Sequence, residues 1–177
     1  MSEPTTRPVE VSLVLYRIYQ MLVGTAVAED DLDGARAAAT VELVAIVSGA
    51  VYTSILPEVL PVRGLLVRAA IVPGGLRTSP ARAATGYHVV PPLQLMAFCE
   101  ASERDPYRTL DQIQTAAFLV TQGASVGWPD RTGAAMALYR TAEPTSPEAM
   151  GNDRHVFSTA TLTCGLYSLA AASVTPG

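Results

Sequence analysis

Acid-base, nucleophilic and metal chemistry would rest here on few side chains: His88, His155, Cys99 and Cys164. The two histidines stand far apart, and neither falls in a ligand spacing such as H-E-x-x-H or H-x-E. Two cysteines are too few for a disulfide framework or a structural zinc site. Each occupies an apolar position of a strand-like run, where small buried thiols are common. A shared metal site would require both cysteines to converge with a histidine. Asp153 and His155 lie at i, i+2, on one side of a strand start, a spacing that suits a structural hydrogen bond or a solvated turn. No G-x-S-x-G elbow marks a serine, and neither a P-loop nor a G-x-G-x-x-G is present. Pro73-Gly74-Gly75 is a turn. The acidic run EDDLD at 29–33 reads as a solvated loop capping a helix, because the following residues lack the oxygen ligands of a calcium site. The expectation is no catalytic residue, no metal and no cofactor.

The elements that would carry these residues follow from periodicity. In 9–23, Val11, Val14, Leu15, Ile18, Met21 and Leu22 recur at helical spacing, with Pro8 suited to the first turn and Gly24 to the stop. Val9, Val11, Leu13 and Leu15 also alternate as in a strand, but the helical pattern runs for four turns. Residues 35–47 read as a second helix, although Val41, Val44, Ile46 and Val47 also favour strand. Pro57 and Pro61 punctuate the chain before a strand at 62–72. Residues 74–92 form a loop of nearly twenty residues, longer than ordinary connections. A strand at 93–101 points Leu95, Ala97 and Cys99 one way and Gln94, Met96, Phe98 and Glu100 the other. Asp105-Pro106 starts a helix buried through Leu110, Ile113, Ala117 and Val120, and Gly123 stops it. A strand at 135–143 and a turn-rich connection at 144–153 lead to 155–167. There Val156, Ala160, Leu162, Cys164 and Leu166 alternate with Thr159, Thr161 and Thr163, and the last two strands form an antiparallel hairpin.

The implied fold is α+β: one domain over 9–169, with helices packed on one face of an antiparallel or mixed sheet. Residues 1–8 form a flexible N-terminal arm and 170–177 a flexible small-residue tail. The most lipid-like stretch, 37–56, is about as long as a spanning helix of roughly 20 residues, but Glu42, Thr40, Ser48, Thr53 and Ser54 dilute it and only Arg36 flanks it. Buried structure in a soluble protein, without a membrane span or signal peptide, is expected.

Composition narrows the function further. The chain is 49% hydrophobic and 16% charged, against about 25% charged in ordinary domains. With a mean hydropathy of +0.27, it has little free surface or hides some against partners. The net charge of −4 argues against a basic nucleic-acid-binding domain, and the aromatic residues do not interleave with the arginines as a single-strand binder needs. Low cysteine content suggests assembly in a reducing cytosol.

The second half has a recognisable order. A strand (LQLMAFCEA) leads through Asp105-Pro106 into a helix, then to the strand MALYRTAEP. A turn with a small residue, Pro and Gly-x-Asp follows, and the long strand in HVFSTATLTCGLY ends the pattern. Together with the first helix, this resembles the tail terminator, or tail-completion, proteins of long-tailed bacteriophages. The stretch 29–92 is longer than that pattern. The resemblance implies a non-enzymatic virion protein forming a hexameric ring that caps the tail tube and stops its polymerisation. It implies the tail tube protein and a head-completion or connector protein as partners, with DNA passing through the lumen without sequence-specific binding. The location implied is the virion tail near the head-tail junction, after assembly in the host cytoplasm. A negative lumen wall would suit passing DNA.

Candidate interface residues are Arg77, Arg82 and Tyr87 on the 74–92 loop, types favoured at contacts. The acidic run 29–33 of a neighbouring subunit is a candidate partner for the two arginines. Trp128 in GWPDRTG reads as a partial core plug or an interface anchor, and Thr161 and Thr163 as facing a neighbouring surface. The alternatives are a small α+β enzyme or ligand-binding domain, with His88 or His155 beside a carboxylate in a concave pocket, and another head-tail connector or adaptor.

Overall fold

A computed structural model describes residues 11–25, 34–69, 87–89, 92–127, 135–142 and 144–167. Within them, helices α1 (Val11–Leu22), α2 (Ala35–Val47) and α3 (Pro106–Thr121) lie over one face of an eight-stranded sheet. The strands are β1 (Val51–Thr53), β2 (Arg63–Ala69), β3 (Tyr87–Val89), β4 (Leu93–Glu100), β5 (Ser125–Gly127), β6 (Ala135–Ala142), β7 (Glu148–Ala149) and β8 (His155–Tyr167). Their spatial order is β1-β2-β4-β8-β6-β5, with β3 and β7 also paired to β8. Only β1 and β2 run parallel, so the sheet is mixed and the α+β reading holds.

Strand β8 organises the sheet. On one side it pairs with β4 along 155–162 and with β3 along 165–167. On the other it pairs with β7 at Val156 and Phe157, then with β6 from Thr161 to Tyr167. The hairpin expected at the end of the sequence is therefore present, with its register shifted between Arg140 and Ala142. Two loop assignments need correction. The 74–92 stretch contains β3, and the 144–153 connection contains the two-residue β7. Both are too short to show a period of two in the sequence, and β8 supplies the hydrogen bonds that define them. Pro92 stands between β3 and β4, where a residue without an N–H cannot continue the ladder.

The helix ends have the local chemistry their residues suggest. Asp105 caps α3 by accepting a hydrogen bond from the Arg108 amide at 3.1 Å, and Pro106 is the first helical residue. Gly24 and Gly123 take positive φ values of 82° and 66° just beyond α1 and α3. Buried Arg36 on α2 donates to the Leu119 and Val120 carbonyls in the last turn of α3, both at 3.3 Å. A cation there satisfies carbonyls that lack helical partners and complements the helix dipole.

Val14, Leu15, Ile18, Met21 and Leu22 of α1 meet Leu43 and Val47 of α2 and Leu110, Ile113, Ala117 and Val120 of α3 in the core. The sheet contributes its alternate residues, including Leu65 and Val67 of β2, Leu95, Ala97 and Cys99 of β4, and Ala160 and Leu162 of β8. Leu166, expected inward with Leu162, has no described side chain. Buried Gln114 on α3 donates to the carbonyls of Leu95 and Ser158, each at 3.1 Å, tying the helix to two adjacent strands.

The opposite sheet face is not simply solvated. Leu66, Met96 and Phe98 are all buried there. The Phe98 ring lies over Gly64: a Cβ at that position would sit 2.4 Å from Phe98 Cζ and 3.1 Å from the Ala50 carbonyl oxygen. The lipid-like stretch 37–56 is divided between α2, a turn and β1. Among the described residues, no helix is long and apolar enough to cross a membrane.

Candidate assembly surface

Residues 54–62 form an apolar strap joining the parallel pair β1 and β2. It leaves the sheet where the Ser54 amide donates to the Val67 carbonyl at 2.8 Å. It returns where the Val62 carbonyl accepts from the Glu100 amide, also at 2.8 Å. The strap therefore runs back along the length of β2. Ser54 makes the first bend with a φ of 67°, and Pro57 and Pro61 restrict the backbone beyond it. Ile55, Val59 and Val62 project to solvent with relative exposures of 79%, 84% and 52%. Branched aliphatic side chains held outward on a restrained segment make a contact surface with little ordering entropy left to lose on binding.

His155 fixes the far end of the strap. Its register partner Glu100 and its ring neighbour Phe98 place it on the face away from the helices. Its Nε2 lies 2.9 Å from the Pro61 carbonyl oxygen, which can only accept, so Nε2 carries the proton. Asn152 Oδ1 accepts from the Arg154 and His155 amides, which leaves Asn152 Nδ2 to donate to His155 Nδ1 at 3.0 Å. The sequence reading of a structural hydrogen bond at His155 is right, but the partner is Asn152. Asp153 is exposed in the turn with a φ of 56°.

The free edge of β1 is closed to strand pairing at both ends. Its alternate residues Val51 and Thr53 turn their backbone groups away from β2. The Val51 amide donates instead to the Gly49 carbonyl at 2.9 Å, and the Thr53 carbonyl accepts from the Ile55 amide at 2.7 Å. A three-residue edge whose end groups are already hydrogen-bonded resists unplanned sheet extension.

Beside the strap's return, Arg63 grips Glu103 through Nε at 2.6 Å and Nη2 at 3.3 Å, while Thr109 Oγ1 donates to the same carboxylate at 2.6 Å. The Glu103 hydrogen bond raises the Arg63 pKa above its ordinary value. Burial, followed by the negative charge of Glu103, pushes the Cys99 thiol up to about 12, against the opposing effect of Arg63. Cys99 Sγ donates to the Pro106 carbonyl at 3.6 Å. A thiol so held is protonated and a poor nucleophile or metal ligand. Among the described residues, no three His, Cys, Asp or Glu side chains cluster to hold a metal.

At the Ser54 end lies a cleft of about 510 Å³ lined by Leu15, Ser54, Arg68, Ala69 and Gln94. Its lining is mostly apolar, and exposed Arg68 donates to Gln94 Oε1 at 3.0 Å.

The sequence-derived interface residues are distributed unevenly. Arg77, Arg82, Trp128 and the acidic run 29–33 lie outside the described residues. Tyr87 opens β3 opposite Tyr167 of β8, and Thr161 and Thr163 are half-buried on the same half of β8. These three are thus brought onto one region of the sheet. His88 pairs in register with Leu166, far along β8 from His155, so the two histidines do not share a site. The exposed strap was missed in the sequence, where Pro57 and Pro61 were its visible signal.

With this geometry, the architecture has a counterpart among solved structures. The fold resembles that of a gene transfer agent virion chain. A chain from a structure described as "Virion of native gene transfer agent (GTA) particle" superposes with a TM-score of 0.50 at 15% sequence identity. The match covers 82% of the present chain and 98% of that one. At that identity, the likeness is one of fold. No protein-family model and no curated protein matches the sequence.

Proposed function

We propose that the protein is a structural virion component that assembles as a hexameric ring on the end of a tail tube. There it stops tube polymerisation and offers its other face to the head-completion or connector protein. The observation that carries this reading is the fold shared with the gene transfer agent virion chain over nearly that chain's whole length. The sequence resemblance to tail terminators supports the finer assignment. The restrained strap supports assembly, because it presents three branched apolar side chains to solvent. The net charge of −4 supports a lumen through which DNA passes without adhering. The half-buried Thr161 and Thr163, and Tyr87 on the adjoining β3, form one contact region in this reading. Arg77, Arg82 and Trp128 form others.

Native mass spectrometry of the purified chain tests the ring, and electron microscopy of particles from cells lacking the gene tests its place. The expected results are a six-subunit mass and tails of uncontrolled length detached from heads. A stable monomer together with normal, joined tails refutes the proposal.

A further inference from the structure

We propose that the ring closes by seating the strap of one subunit on the Arg68 cleft of the next, with Glu58 of the strap against Arg68. This contact rests on the ring reading and names the surfaces that make it. The strap carries one charge, Glu58, exposed between the outward-facing Ile55 and Val59. The described lining of the cleft also carries one charge, Arg68, beside half-buried Ala69 and the small part of Leu15 that reaches the surface. One surface is convex, apolar and acidic; the other is concave, apolar and basic. Their chemistry is complementary in both respects.

Their placement also suits a head-to-tail contact. The cleft opens at the Ser54 end of the strap, and Glu58 and Val59 lie further along it towards Val62, which sits at the opposite end of β2 beside Glu100. A protrusion around Glu58 and Val59 that seats in a receptor formed by other residues makes a heterologous interface, the kind that closes into rings. Arg68 has guanidinium nitrogens beyond the Nε that serves Gln94, and these are available to a carboxylate.

Charge reversal tests the pairing in the full-length chain. Glu58→Arg and Arg68→Glu, each checked by circular dichroism for native folding, should each raise the concentration for half-assembly about tenfold or more in native mass spectrometry. The double variant, which restores opposite charges across the contact, should reassemble near the wild-type concentration. Val59→Asp should disrupt assembly in every background. A ring indifferent to both reversals overturns this contact while leaving the ring intact. Single variants that dissociate without rescue in the double variant overturn the pairing and assign the strap another neighbour. A wild-type chain that stays monomeric overturns the ring reading and this contact with it.

Discussion

Gly64→Ala is the most economical probe of how the two sheet faces are held. The added Cβ would lie 2.4 Å from Phe98 Cζ and 2.8 Å from Cε1. Ordinary carbon contacts lie at about 3.5–4.0 Å, so the ring would have to withdraw by roughly 1.1–1.6 Å. It has little room, since Phe98 is fully buried with its ring against His155 at a centroid distance of 5.9 Å. The Ala50 carbonyl oxygen, 3.1 Å from the new carbon, restricts retreat on the backbone side. Overpacking of this kind costs about 1–3 kcal/mol, and the smaller unfolded-state entropy of alanine returns about 0.4–1 kcal/mol. A net loss of about 1–1.5 kcal/mol is expected, or about 2–6 °C in Tm for a chain of this size. Phe98→Leu removes the two clashing atoms. In a double-mutant cycle read by urea denaturation, the Gly64→Ala penalty should shrink by about 1–2 kcal/mol in the Phe98→Leu background. A Gly64→Ala protein that melts with the wild type, or an equal penalty in both backgrounds, refutes the steric account.

Other perturbations probe separate parts of the fold. Leu162→Ala should cost about 2–5 kcal/mol in a denaturant melt, whereas half-buried Thr161→Ala should stay within about 0.5 kcal/mol. Equal losses would mean that β8 is inverted. Arg36→Ala should cost about 2–3 kcal/mol, because it removes charged donors from the α3 carbonyls of Leu119 and Val120. Its amide exchange should quicken in the last turn of α3 before it does in β4. Cys99 should resist iodoacetamide in the native protein at pH 8 and react after unfolding, as peptide mass spectrometry would show. The raised thiol pKa has a further consequence. The unfolded chain releases the proton first, so this group's contribution is intact below about pH 9 and is lost as pH rises towards about 12. Cys99→Val should flatten stability over that window.

The parts of the fold visible in the sequence were those with long, uninterrupted periodicity. Residues 155–167 alternate over enough positions to define β8, and Asp105-Pro106 marks the start of α3 by local chemistry alone. Even α2, with its competing β-branched residues, is helical because Ala39, Leu43 and Val47 pack into the core. The short strands were hidden because their hydrogen bonds depend on longer partners rather than on their own residues: β8 for β3 and β7, β2 for β1 and β6 for β5. The burial of Met96 and Phe98 was equally invisible: alternation separates two faces but does not say whether the second is covered. At the candidate surface, prolines at 57 and 61 signalled an interruption. That Ile55, Val59 and Val62 stand outward depends on hydrogen bonds with Val67, Glu100 and His155, distant in sequence.

The position of β8 also constrains how the chain folds during synthesis. Strands β2 and β4 pair directly, as do β5 and β6, but the two groups adjoin only through β8 between them. Among the described residues, every other strand precedes β8 in the chain. A ribosome that has delivered α3 and β6 therefore holds two unfinished sheets, with the inner edges of β4 and β6 awaiting residues 155–167. Completion is an insertion event that waits for β8. Until it occurs, those edges are available to other nascent chains, so recruitment of chaperones and the tempo of translation through 155–167 bear directly on yield.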